Sequence, residues 1–310
     1  MTSTRTAERT DTGDARIRRS GRGRPAGRRA GTKPTTTIIV MAILTIVALY
    51  FLIPVYWVVV NASKTSEGLF GTNGFWFGGG FHLFENIHDV LTTGGGIFGR
   101  WALNSLLYSG VGAVLATYFA VAAGFALSKY QFRGKNIIFA FVLGGVLVPG
   151  TATALPLFFL FSRIGITDTY WSVLLPSLVS PFGFFLARIY ADAAVSETVL
   201  EAGRIDGASE LRIFHTIVLR QLVPAIVTIF LFQFVAIWNN YFLPLVMLAD
   251  QSKYPITLGL TNWYRQTDRL PEFYALTTGG ALLSVIPLAI LIIVLQRFWR
   301  GGLTEGSIKG

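Results

Sequence analysis

The chain contains no cysteine, which excludes disulfides, thiolate metal sites and cysteine nucleophiles. Charge is scarce: 14% of the 310 residues are Asp, Glu, Lys or Arg, where a soluble domain carries about 25%. With 52% hydrophobic residues and a mean hydropathy of +0.56, the deficit indicates a membrane protein. The long apolar runs contain no Asp or Glu. Proton-coupled carriers usually place an ionisable group there, so that class is disfavoured, whereas a sodium site built from backbone carbonyls stays open. A nucleotide-binding loop is also missing. GRRAGTKPT (27–35) lacks the Gly-Lys-Ser/Thr order, and Pro34 follows its lysine with no strand before it. No serine or histidine stands in a catalytic arrangement. In HLFENIHD, His82, Glu85 and His88 lie three residues apart, but one turn with no fourth ligand makes a poor metal site. The other reading is an external amphipathic helix whose Phe81, Phe84 and Ile87 face protein or lipid. No metal, cofactor, enzymatic activity or nucleic-acid partner is predicted.

What is present is apolar length. A helix needs roughly 20 apolar residues to cross a bilayer, and six stretches reach that: about 37–60, 101–128, 137–161, 171–191, 223–248 and 273–296. An all-α, polytopic fold with six transmembrane helices is predicted. With the N-terminus inside, 20 of the 26 Lys and Arg fall on the inner side, ten of them in residues 1–36. The positive-inside rule then places both termini in the cytoplasm. The arm 1–36 should be disordered, acting either as a polybasic contact to anionic lipid or as an orientation signal alone. Gly112, Ala116, Ala120 and Gly124 recur every four residues and should let another helix approach closely. Pro149, Pro156, Pro176 and Pro181 should kink or break their spans, as a transport pathway or simple kinked packing would require.

The loop 61–100 falls outside. Between the fourth and fifth spans, residues 192–222 form a cytoplasmic segment. A helix is predicted over 196–206, stopped by Gly207 in the left-handed conformation. Ser209 caps a second helix with Glu210 in its first turn. Leu211, Phe214, Ile217 and Val218 should form its apolar face, and Ala202, Gly203 and Gly207 should leave a low surface for a partner. The pair either lies on lipid headgroups or binds a protein; its balanced charge favours a protein, since interfacial helices prefer Lys and Arg.

EAGRIDGASELRIFHTIVLRQLVP (201–224) resembles the EAA motif of the membrane subunits of ATP-binding-cassette importers. Glu201, Ala202, Asp206, Gly207, Ala208, Ile217 and Leu219 stand at matching places. Gly203 replaces the motif's third residue, and Arg220 its proline. WALNSLLYSG (101–110), ALSKYQFRGK (126–135), GITDTYWSVLLP (165–176), IWNNYFLPLV (237–246) and GLTEGSIKG (302–310) resemble carbohydrate-importer permeases of the maltose/glycerol-phosphate type, so the likeness runs over about 37–310. It implies a type I importer permease fold, with a core over 101–296 and a cytoplasmic tail over 297–310. It further implies a cell-membrane complex with a second homologous permease subunit, two cytoplasmic ATP-binding subunits and an extracytoplasmic solute-binding protein that delivers a carbohydrate. Glu201, Ala202, Gly203, Asp206, Gly207, Ala208, Ile217 and Leu219 would couple it to the ATPases. For the solute path the candidates are Asn104, Thr151, Gln233, Trp238, Asn239, Asn240 and Tyr241, with helix–helix hydrogen bonding as the other role for the polar ones. The alternatives are an ion-coupled carrier or channel, a scaffold that recruits a cytoplasmic partner, or an importer permease for a non-sugar solute.

Overall fold

The computed structural model describes residues 34–305, with side chains over 35–298. The basic arm before residue 34 and the last residues of GLTEGSIKG lie outside the described residues. Residues up to Phe51 form one unit and those from Leu52 onward another. In the first, the opening turns of α1 (Pro34–Ala62) are exposed along their length.

From Leu52 onward the chain is helical, with no strand among the described residues. After α1 come α2 (Ser66–Gly71), α3 (Leu83–Lys129), α4 (Lys135–Val146), α5 (Gly150–Arg163), α6 (Tyr170–Ser177) and α7 (Pro181–Ala194). Then follow α8 (Glu197–Ile205), α9 (Glu210–Ile213), a π turn (Phe214–Val218), α10 (Leu219–Gln221), α11 (Val223–Trp238), α12 (Phe242–Met247), α13 (Ile256–Tyr264) and α14 (Glu272–Glu305). Four stretches are long and apolar enough to cross a membrane: Thr35–Ala62, Leu83–Lys129, Tyr170–Ala194 and Glu272–Phe298. The number rises to six if each of two bent pairs is one span.

The first of these bent pairs is the break expected in the third span. Over 137–161, α4 and α5 meet at 103°, with Pro149 at the corner, where a residue without an N–H loses no helical bond. The fifth run stops being helical at Trp238, breaks over 239–241 and resumes as α12. Its preceding segment, Glu210–Gln221, meets it at 82°. Within α3, Thr93 is extended and Gly94, Gly95 and Gly96 have φ of 61°, 69° and 80°. Three left-handed residues in a row suit glycine alone, so the helix is two pieces, 83–92 and 97–129.

The second piece of α3 is the spine. Its Phe98, Trp101 and Tyr108, joined by Val90 of the first piece, enter one core with Phe161, Val173, Phe234, Trp238 and Trp263. Ala120, Val121 and Phe125 enter a second core with Phe184, Ala187, Leu200, Ile213, Phe214 and Leu222. The small-residue stripe makes both contacts close. A Cβ on Gly112 would come within 2.8 Å of Ile237 Cδ1, and one on Gly124 within 2.7 Å of both Ala187 Cβ and the Arg188 backbone nitrogen. The second obstacle is backbone, so α3 and α7 would have to separate. Gly124→Ala is therefore expected to destabilise the subunit by about 1–3 kcal/mol. The thermal midpoint of the detergent-solubilised protein checks this; an unchanged midpoint would refute the close-contact argument.

Candidate functional site

Two regions collect the polar chemistry. The first is the segment 192–222. Its local sequence sets its shape: α8 ends at Asp206, Gly207 takes φ +75°, and the Ser209 hydroxyl accepts from the Arg212 N–H. The end of α3 holds both helices. Ser128 Oγ donates to Asp192 Oδ1 at 3.3 Å, and Lys129 Nζ lies 3.8 Å from Glu197 Oε1. Tyr130 donates its hydroxyl to Glu210 Oε2, while Arg204 Nε donates to Glu210 Oε1 at 2.7 Å. Arg204 first, then Tyr130, hold the Glu210 carboxyl below its usual range. Burial, reinforced by Glu210, pushes the Tyr130 phenol up to about 12. Tyr130, Arg204 and Glu210 thus lock α8 and α9 to the spine. Tyr130 lies in ALSKYQFRGK, but nothing in its spacing announces the contact.

Two expectations about this segment are corrected. Gly203 is buried rather than part of an outer low surface: a Cβ there would lie 3.2 Å from Ile213 Cγ1 and 3.4 Å from Ile217 Cδ1. Leu211 is 72% exposed, and the buried positions are Ile213, Phe214, Val218 and Leu222. The π turn widens the helical repeat, so inward residues recur four apart from Phe214 on. The outer surface is built from Glu201, Ala202, Ile205, Asp206, Gly207 and Leu211, all exposed, with Ala208 half-buried. Ile205, 86% exposed, was not anticipated. Ile217 and Leu219 are half-buried on the inner side.

The second region is a cavity of about 410 Å³ between α5, α6, α11 and α12. Thr151, Thr153, Ser177, Gln233 and Asn240 supply its polar wall, and Leu157, Ile237 and Phe242 are among its apolar residues. No charged residue lines it. Gln233 Nε2 donates to the Ser177 carbonyl at 3.1 Å, which fixes the amide at the wall. Of the residues expected on a solute path, Thr151, Gln233 and Asn240 meet here. Four do not. Asn104 is buried and donates to the Ser252 and Tyr254 carbonyls while accepting from the Tyr170 hydroxyl. Trp238 is a core residue stacked on Phe234. Asn239 bonds back to Val235 of its own helix. The Tyr241 hydroxyl accepts from Arg265.

The loop that engages Asn104 is pinned from several sides. Trp101 Nε1 donates to the Gln251 carbonyl and Tyr108 Oη to that of Lys253. Asp168, at φ 55°, accepts from the Ala249 and Asp250 N–H groups and pairs with Lys253 Nζ at 3.1 Å. GITDTYWSVLLP and WALNSLLYSG therefore serve one loop, a link across some 80–150 residues that spacing alone does not reveal.

Comparison with known proteins agrees with this architecture. Residues 112–300 match the family described as binding-protein-dependent transport system inner membrane component. The chain is 30% identical over 271 residues to the arabinooligosaccharides transport system permease protein AraQ of Bacillus subtilis, covering 85% of this chain and 92% of that protein. It is 26% identical to the melibiose/raffinose/stachyose import permease protein MelC of the same organism, covering 91% and 100%. Its fold is similar to a chain of a bacterial ABC transporter involved in alginate import, with a TM-score of 0.73 at 22% identity, covering 86% of this chain and 96% of that one. The helical core, its broken spans and the family match over most of its length agree, and the chain belongs to the inner membrane components of binding-protein-dependent transport systems.

Proposed function

We propose that this chain is a permease subunit of an ATP-driven importer that moves a neutral sugar or oligosaccharide delivered by an extracytoplasmic binding protein. The observation that carries the solute class is the cavity between α5 and α11. Its polar wall is hydroxyl, amide and backbone groups without a charge, which suits a ligand that presents hydroxyls. The saccharide names of AraQ and MelC point the same way. Six crossings, with α4–α5 and α11–α12 as broken spans and both termini in the cytoplasm, fit the distribution of basic residues. A second homologous permease subunit completes the pore, and two ATP-binding subunits lie below it.

In this reading the segment 192–222 faces the ATPases. Its exposed Ile205 and Leu211, set beside Glu201 and Asp206, offer an apolar patch with two outward carboxylates. Such a patch fits a protein partner better than solvent. ATP-driven closure would push α8 and α9 as a locked pair, and α3 would carry the push between two discrete packings. The ion-coupled alternative has no carboxylate in the spans to work with. Vesicles reconstituted with both permeases and the ATPases decide between them. Uptake of a labelled oligosaccharide is expected to require ATP inside and binding protein outside. Uptake driven by an ion gradient without ATP would overturn the proposal.

A further inference from the structure

Residues 68–81, GLFGTNGFWFGGGF, contain no Asp, Glu, Lys or Arg. Their aromatic side chains point outward: Phe75 is 55%, Trp76 69% and Phe81 56% exposed. A floppy loop could hide such rings, but this one is held. Three successive carbonyls accept from three side chains at the end of α1: Asn73 from Lys64 Nζ at 2.7 Å, Gly74 from Asn61 Nδ2 at 3.0 Å and Phe75 from Tyr56 Oη at 2.9 Å. The anchor points are themselves fixed. Lys64 and Asn61 are buried, and Asn86 Nδ2 donates to the Ala62 and Lys64 carbonyls.

These bonds set a level. The hydrocarbon core takes about 20 helical residues, and the apolar run of α1 that begins at Ile38 reaches that count at Trp57. Tyr56 and Asn61 therefore straddle the edge of the apolar run, and the loop they grip lies at that edge. Leu52, Ile53, Val55, Tyr56 and Trp57 are exposed on the helix just below it. The aromatic loop thus continues an exposed, apolar surface at the level where Trp and other aromatic rings favour the membrane–water boundary.

We propose that Phe75, Trp76 and Phe77, with Trp57, form an anchor seated in the phospholipid headgroup region and that the Lys64–Asn61–Tyr56 grip holds it at that depth. The occupant is lipid rather than a soluble protein because residues 68–81 carry no charged side chain to orient a partner, and because the patch is continuous with the exposed apolar side chains of α1 over 52–57. This rests on the membrane placement of the chain and not on its solute or energy source, so failure of the importer reading leaves it standing.

The absence of cysteine makes the test direct. Trp76→Cys carries an environment-sensitive dye in the full complex, in vesicles of phosphatidylethanolamine and phosphatidylglycerol. Phe75→Cys serves as a second site should the first fail to assemble, and Glu67→Cys as the aqueous control. Quenching by headgroup-labelled spin lipid is expected to exceed that by aqueous iodide about threefold at 75 and 76, with the reverse order at 67. Binding protein should not change it. A dye quenched by iodide and not by lipid overturns the proposal. So does a dye shielded only after binding protein is added, which would make the patch a protein-docking surface instead.

Discussion

Reversing the two outward carboxylates of the proposed coupling helix, Glu201→Lys with Asp206→Arg, is expected to lower uptake about 100-fold and to strip the ATPase from the purified complex. The choice follows from which charges the chain already uses. Asp192 is engaged by Ser128, Glu197 by Lys129, and Glu210 by Arg204 and Tyr130. Glu201 and Asp206 are exposed and make no ion pair among the described residues. A charge with no work to do inside the subunit is free to meet another. Like-charge juxtaposition across an interface costs several kcal/mol, and each 1.4 kcal/mol is about tenfold in affinity. Folding should be unaffected because both side chains lie in solvent. Uptake within twofold of the parent, with ATPase still co-eluting, would rule out this face as the coupling surface.

Gly203→Leu is expected to abolish coupling by a different route. Here the outer surface is untouched, and the added side chain wedges α8 away from the turn that packs beneath it. A single methyl already meets Ile213 at 3.2 and 3.3 Å and Ile217 at 3.4 Å, so Gly203→Ala fits with a small shift of those side chains. Leucine has nowhere to go, and overpacking of this kind costs about 1–3 kcal/mol or more. The pair α8–α9 would then yield when pushed instead of moving as one body. The expected signature is ATP hydrolysis retained while uptake falls at least about tenfold, with the alanine variant close to the parent. If the leucine variant transports normally, the rigidity of this pair has no part in transport.

The long apolar helices were legible because apolar length is a strong signal; the short helices of 192–222 were legible because glycine and serine mark helix ends chemically. Gly207 at φ +75° and Ser209 as a cap are local facts, and they appear where local reasoning puts them. What escaped depends on the neighbours. The sign of Gly203, inward rather than outward, is set by Ile213 on the next helix. The exposure of Leu211 follows from a π turn that no single residue encodes. Asn104 looked available for solute until the loop 251–254 arrived from about 150 residues away to take its amide. Prolines flagged the breaks in the third and fourth runs but could not give the 103° between α4 and α5. Of the residues proposed for the solute path, Thr151 and Asn240 line the cavity from positions beside helix breaks and Gln233 from within α11, whereas Asn239 and Tyr241 sit in the same break as Asn240 and bond elsewhere.

The spine has one more consequence. Its unbroken piece, 97–129, is clamped at one end to the loop 249–254 through Trp101, Asn104 and Tyr108, and at the other to 192–210 through Ser128, Lys129 and Tyr130. At 1.5 Å per residue it is roughly 50 Å long, and where it runs closest to its neighbours, at Gly112 and Gly124, they crowd it too tightly for sideways slip. Such an element behaves as a beam with a fulcrum rather than a chain of links. Whatever angle is imposed at one end is reproduced at the other, so the two faces of the membrane cannot both be at liberty to choose their state.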